Sequence, residues 1–419
     1  MNRRDVVLTL LLISSVFGGM EAALARSGSP GTPLSDAVKS DITQQLNAAV
    51  ARGDTPGVVA LVVDREGELY LATAGKLDKA ADTDMPVNAI FNSASMTKPI
   101  TSVAIMMLLE QKKLALDDPV SKFLPGFDNL QVITRFNEAD GTYETRPAKR
   151  AMTVRHLLAH TSGLGYPFTS SIVARLQQGT NKMEWEFPLL NDPGEKWNYS
   201  ASTRVLGLIV EKIAGVPLED YFQQNIFKPL GMNDTSYAVA ADKQSRVTAI
   251  HFREGGEIKQ RPRATIASTA APPYRGDGGL YTTAHDYGLF IRMMLNGGKL
   301  KSARILSERS VRLMGENQIG AIFVEQQPTT NLALSKPFPL GAGRDKFGLG
   351  FQIAADSADA KRYRSAGSMS WAGIFNTEFW IDPKQQVGGV LLMQILPFYD
   401  DGAIRTLQNF EEAVYRAVR

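Results

Sequence analysis

Apolar residues recur at helical spacing between Ser35 and Gly53, where Val38, Ile42, Leu46, Ala49 and Val50 form one stripe of an amphipathic helix with start and stop signals at its ends. Two β-rich runs follow, residues 58–64 and 69–74, and Arg65-Glu66-Gly67 between them suits a tight hairpin. The far end mirrors this pattern: residues 378–381 and 387–393 flank Asp382-Pro383 as a second hairpin, and Ile404, Leu407, Phe410, Val414 and Ala417 mark a closing helix. The two ends of the chain are therefore expected to share one sheet.

The middle reads as mostly helical, with helices expected at residues 154–160, 202–215, 217–227 and 284–295, and a small projecting hairpin around Asp140-Gly141. Together these elements predict an α/β sandwich, an antiparallel sheet flanked by helices, into which an all-helical subdomain is inserted. The expected division is one domain over 35–419, with the α/β part at about 35–115 and 290–419 and the helical part at about 116–289.

The first 25 residues break from this pattern. Arg3 and Arg4 precede an apolar run from Val6 to Phe17 and the triplet Ala23-Leu24-Ala25, which reads as a cleaved export signal. Residues 2–7 also resemble a twin-arginine leader, and a Gly/Ser/Pro linker spans 26–34. The expectation is an exported protein, periplasmic or secreted, with no stable membrane anchor after cleavage, since the apolar run is short and broken by Ser14, Ser15, Gly18 and Gly19.

Composition narrows the chemistry. A chain of 419 residues with 44% hydrophobic content can bury a substantial core. Its net charge is only +3, and the densest basic cluster, Arg146 to Arg155, spreads four cations over ten positions, so nothing resembles a nucleic-acid footprint. With no cysteine there is no disulfide framework, no thiol nucleophile and no thiolate metal site.

Ser95-Met96-Thr97-Lys98, followed by Pro99, carries the chemistry. Residues three apart are neighbours on a helix surface, so a helix beginning at Ser95 sets the Lys98 amine beside the serine hydroxyl. Proline is tolerated in a first turn, where its missing N–H has no partner anyway. Unpaired N–H groups at such an end favour negative charge near the serine. A third group must return a proton to the leaving atom, and Tyr199, in the turn 193–200, is placed to do so. A tyrosine beside two cations is expected to ionise more easily.

Ser95 to Lys98, His156 to Leu164, Pro193 to Ser200 and Gly278 to Thr283 stand in the order of the serine β-lactamase-like family, and the chain resembles that family over nearly all of residues 35–419. Further likeness runs through Ile226 to Met232, Phe347 to Phe351 and Gly367 to Pro383. The family includes class C β-lactamases, D-peptidases and family VIII carboxylesterases. The resemblance implies a β-lactamase/transpeptidase-like fold, no cofactor, and acyl transfer through a covalent intermediate on Ser95, with Lys98 and Tyr199 handling protons in an order left open. It also implies an oxyanion site at the backbone N–H groups of Ser95 and Ile374.

Departures from the family pattern point to the substrate. The penicillin-hydrolysing Y-x-N motif becomes Tyr199-Ser200-Ala201, which lacks the side-chain amide. The K-T-G motif becomes Trp371-Ala372-Gly373, an esterase-like variant with an indole where a lysine would meet a β-lactam carboxylate. Trp371, Ala372, Gly373 and Ala201 are thus the expected substrate-binding positions, for a small ester or amide, with esters favoured over β-lactams or peptides and acyltransfer as an alternative. His156 and His160 lie four apart but lack the glutamate of H-E-x-x-H, so no metal is expected. Gly276-Asp277-Gly278-Gly279 reads as a close backbone turn.

Overall fold

The computed structural model describes residues 34–355 and 363–418. The expected export signal and nearly all of the linker lie outside the described residues. Among the described residues no helix is long and apolar enough to cross a membrane.

An antiparallel sheet of eight strands organises the molecule. Its order is Lys346–Phe347, Gln352–Ile353, Met369–Gly373, Thr377–Asp382, Val387–Leu392, Gly57–Asp64, Glu68–Asp78 and Thr83–Asp84. The two ends of the chain do share this sheet, through a ladder that sets Val59 against Leu392 and Leu61 against Val390. Val58 to Val63 are all buried, because helices cover both faces of the strand. Val58, Ala60 and Val62 pack in one apolar cluster with Ile42, Leu46, Leu407 and Phe410 of the helices Asp36–Ala51 and Asp401–Val418. Val59, Leu61 and Val63 pack in another with Tyr287 and Phe290 of the helix Ala284–Leu295 and with the serine-bearing region. That burial on two sides explains an unbroken apolar run where a half-exposed antiparallel strand would alternate.

Several boundaries move. The helix Ala284–Leu295 packs on the main sheet, so a boundary near 290 would cut through an element of the α/β part. The inserted portion is not all-helical: besides its helices it carries the hairpin Gln131–Phe136 with Tyr143–Pro147, a second pair, His251–Glu254 with Glu257–Gln260, and long irregular connections. The helix expected at 154–160 ends at Leu158, and His160 beyond it has a left-handed φ of 54°. The segment expected as one helix over 217–227 is an α-helix only over Leu218–Phe222, continued by a π turn over Gln223–Phe227.

Candidate active site

The serine sits differently from a simple helix start. Ala94–Met96 form a 3₁₀ turn, and the α-helix proper runs Thr97–Glu110. Lys98 is therefore in its first turn and Pro99 at its third position, where a missing N–H costs nothing. Ala94 has a φ of 45°, a left-handed conformation uncommon for alanine, and its N–H donates to Asn92 Oδ1 at 3.0 Å. This local kink precedes a helix buried almost throughout, from Thr97 to Met106. The serine is thus mounted on rigid core structure.

Two groups converge on the hydroxyl. Lys98 Nζ donates to Ser95 Oγ at 3.1 Å, and Tyr199 Oη donates to the same oxygen at 2.6 Å. Lys98 is 2% exposed. Burial, helped by the neighbouring Arg275 and Arg204 and opposed by Asp277, brings its amine down to about 7. Tyr199 moves the other way. Burial pushes its phenol well above the usual value, and the hydrogen bond to Ser95 only partly offsets this. The expectation that nearby cations would make Tyr199 ionise readily is corrected here, since desolvation outweighs them. At neutral pH the site holds a lysine that can accept a proton and a tyrosine that can give one.

The glycine-rich turn over 276–279 has a second use that spacing did not reveal. Lys98 Nζ also donates to the Asp277 backbone oxygen at 2.9 Å. The Asp277 carboxylate, only 2% exposed, accepts from Tyr166 Oη at 2.5 Å, Arg204 Nε at 3.1 Å and Arg275 Nε at 3.2 Å. Burial would raise its pKa, but Lys98, Arg275 and Arg204 outweigh burial and hold it well below the usual carboxylate range. Arg204 in turn donates to Glu184 at 2.9 Å. The turn lies this close because glycines meet there: a Cβ on Gly276 would fall 2.5 Å from Thr203 O and 2.9 Å from Gly207 Cα. Tyr166, Glu184, Arg204 and Asp277 come from four separate segments, so no local motif announces them.

The edge of the main sheet closes the other side. A Cβ on Gly373 would stand 2.4 Å from Ser93 O, so only glycine lets the strand Met369–Gly373 press against the serine turn. Ser95, Lys98, Tyr199, Trp371, Ala372 and Ile374 all line one cavity of about 490 Å³, within the range of small-molecule sites. Phe168, Phe338 and Phe398 also line it and give it an apolar, aromatic wall.

The family model described as Beta-lactamase matches residues 41–413, nearly the whole described chain. This chain belongs to the Beta-lactamase family. An uncharacterized protein of Mycobacterium tuberculosis is 33% identical over 357 residues, covering 81% of this chain and 86% of its own. Monacolin J acid methylbutanoyltransferase of Aspergillus terreus is 27% identical and covers 88% of this chain and 93% of its own. Lovastatin esterase of Penicillium rubens is 26% identical, with coverages of 88% and 97%. Among solved structures, a simvastatin synthase mutant from Aspergillus terreus superposes with a TM-score of 0.76 at 26% identity, covering 91% of this chain and 95% of that one. The fold is thus the β-lactamase/transpeptidase-like fold that the family resemblance implied.

Within this Beta-lactamase family frame the four expected substrate-binding positions separate. Trp371 and Ala372 line the cavity. Gly373 does not, and acts instead by letting the strand approach. Ala201 is fully buried at the start of the helix Ser202–Ala214 and lines no part of the cavity, so its expected contact with substrate is corrected. Trp371 is only 7% exposed. Its ring packs 5.0 Å from that of Tyr199 and 5.5 Å from Phe347. The indole therefore both lines the cavity and packs against Tyr199.

The two histidines also part company. His156 Nδ1 accepts the Thr153 N–H at 3.1 Å as half of a capping box. His160 is buried beside Tyr199, with ring centres 5.2 Å apart. Among the described residues no group of three or more acidic or histidine side chains could hold a metal ion.

Proposed function

We propose that this chain is a serine hydrolase working through an acyl-enzyme on Ser95, and that its substrates are small or medium acyl esters. The convergence of Lys98 Nζ and Tyr199 Oη on Ser95 Oγ carries this reading. Neutral Lys98 takes the serine proton as Oγ attacks the ester carbonyl. The oxyanion forms between the Ser95 and Ile374 amides, where losing one donor typically costs about 3 kcal/mol. Tyr199, kept protonated by burial, gives its proton to the departing alkoxide and regains one from Lys98. Water then attacks the acyl group by the reverse path and releases the acid.

A neutral ester suits the site because Trp371 leaves no cation at the position where penicillin-hydrolysing relatives keep lysine. A class C-like β-lactamase or D-peptidase is the weaker alternative for the same reason. Acyltransfer is the second reading. A methylbutanoyltransferase and an esterase resemble this chain about equally, and the same acyl-enzyme can be taken by an alcohol in place of water. The leader-like residues 1–25 support an exported setting as part of this proposal.

The test compares p-nitrophenyl acetate and butyrate with a chromogenic cephalosporin, with and without an added alcohol, using Ser95→Ala as the control. Ester turnover that exceeds cephalosporin turnover and vanishes in the variant supports the reading. Cephalosporin turnover far above ester turnover overturns it, and product partitioning to the alcohol favours the transferase.

A further inference from the structure

The cavity that holds Ser95 is also lined by Ser370, Glu378, Arg364 and Glu411. Side chains alternate across a strand, so Ser370 and Ala372 face away from Trp371. Glu378, on the neighbouring strand, stands directly opposite Ala372, and such pairs have Cβ atoms about 5 Å apart. Ile374 lies two residues beyond Ala372, at most about 7 Å of extended chain. Glu378 therefore lies on the sheet face away from Trp371, at a second end of the cavity that Ser95 lines.

The charges at this second end do not balance in the usual way. Arg364 Nε donates to Glu411 Oε1 at 2.6 Å, and Arg364 Nη2 donates to the same oxygen. Glu378 is 6% exposed, and its Oε1 accepts no hydrogen bond. One guanidinium thus faces two carboxyl groups and is already engaged by one of them. Burial pushes the Glu378 carboxyl up to about 8, with Glu411 adding to the rise and Arg364 opposing it. Tyr415, another titratable group packed nearby, donates to Asp382 and stays protonated through burial, and burial together with Glu412 also raises Tyr363, which faces Glu411. An anionic ligand would meet a guanidinium already taken and a second carboxyl beside it. An ammonium would meet a carboxyl with a free oxygen.

We propose that Glu378 binds an ammonium group carried on the acyl or alcohol part of the substrate, so that the preferred esters are amine-bearing ones. Binding balances as follows: the Glu378 O–H gives its proton to solvent, and the resulting carboxylate pairs with the ammonium while Arg364 keeps Glu411. The proposal deepens the esterase reading by naming a substrate class for the same cavity, but the binding step does not depend on turnover.

The experiment is calorimetric titration of Ser95→Ala protein at pH 7 in two buffers of different ionisation enthalpy. The probes are methyl 4-aminobutanoate, its uncharged counterpart methyl pentanoate, and monomethyl glutarate. The amine ester is expected to bind at least about tenfold tighter than methyl pentanoate, releasing close to one proton, with monomethyl glutarate weakest. Adding Glu378→Gln should remove both the preference and the proton release, and Glu378→Asp should keep part of each. Equal affinities for the amine and uncharged esters, or proton release that survives Glu378→Gln, would overturn the proposal. Failure of the wild-type protein to hydrolyse any ester would contradict the esterase reading alone.

Discussion

Tyr199 donates its phenolic hydrogen to Ser95 Oγ at 2.6 Å while burial keeps that phenol protonated. Replacing it with phenylalanine keeps the ring packing against Trp371 and His160 and removes only the proton donor. Tyr199→Phe is expected to lower kcat by about 10²- to 10⁴-fold with a thermal midpoint close to that of the wild type. A rate loss under about threefold would remove Tyr199 from proton transfer.

In the proposed reaction Lys98 sets the pH dependence. Its amine must be neutral to accept the serine proton, and burial brings it down to about 7. Below that pH the lysine is charged and the rate falls. Above it the lysine is neutral and the rate levels off. The kcat/KM profile for a non-ionising ester should rise with pH through a limb near 7, and a limb near the ordinary lysine value would show that the amine is not desolvated in solution.

Asp277 accepts a hydrogen bond from the Lys98 amine through its backbone oxygen, and its carboxylate acts on that amine electrostatically, without direct contact. The carboxylate opposes the downward shift of Lys98, so its removal should carry the limb to lower pH. Asp277→Asn also removes the negative charge that Arg204 and Arg275 share and one of the two accepting oxygens, which loosens the turn. The expected result is a lower kcat together with an acidic limb moved below 7. A lower kcat with the limb in place would assign Asp277 a purely structural part.

Trp371→Lys separates packing from substrate contact. From the motif alone, a lysine there should favour carboxylate-bearing substrates. In the structure the side chain is buried among aromatic rings, where an unpaired ammonium is costly. The variant is therefore expected to unfold at lower temperature and to lose ester turnover without gaining cephalosporin turnover. Thermal melts and parallel assays decide it, and a stable variant with improved cephalosporin turnover would show that a lysine at 371 is tolerated and reaches a substrate carboxylate.

The sheet shared by both chain ends was legible because apolar stripes such as Val58 to Val63 and Ile404 to Ala417 carry their period locally. Ser95 and Lys98 were legible because three residues separate them, and Tyr199 because a resemblance tied it to them. Asp277 and Arg204 were not, since their meeting depends on Gly207 and Gly276 bringing distant segments together. Counting charges misjudged Tyr199, because a linear sequence shows its cations but not its burial. Glu378 likewise looks like an ordinary polar residue at the start of a strand until its neighbours are known.

The proposed reaction passes through a covalent acyl group on Ser95, which rapid-quench mass spectrometry of the enzyme mixed with p-nitrophenyl butyrate detects. One butyryl group is expected on the peptide that carries Ser95, appearing with the burst of nitrophenol and absent from Ser95→Ala. Acylation at another residue, or a burst of nitrophenol that persists in Ser95→Ala, would contradict it.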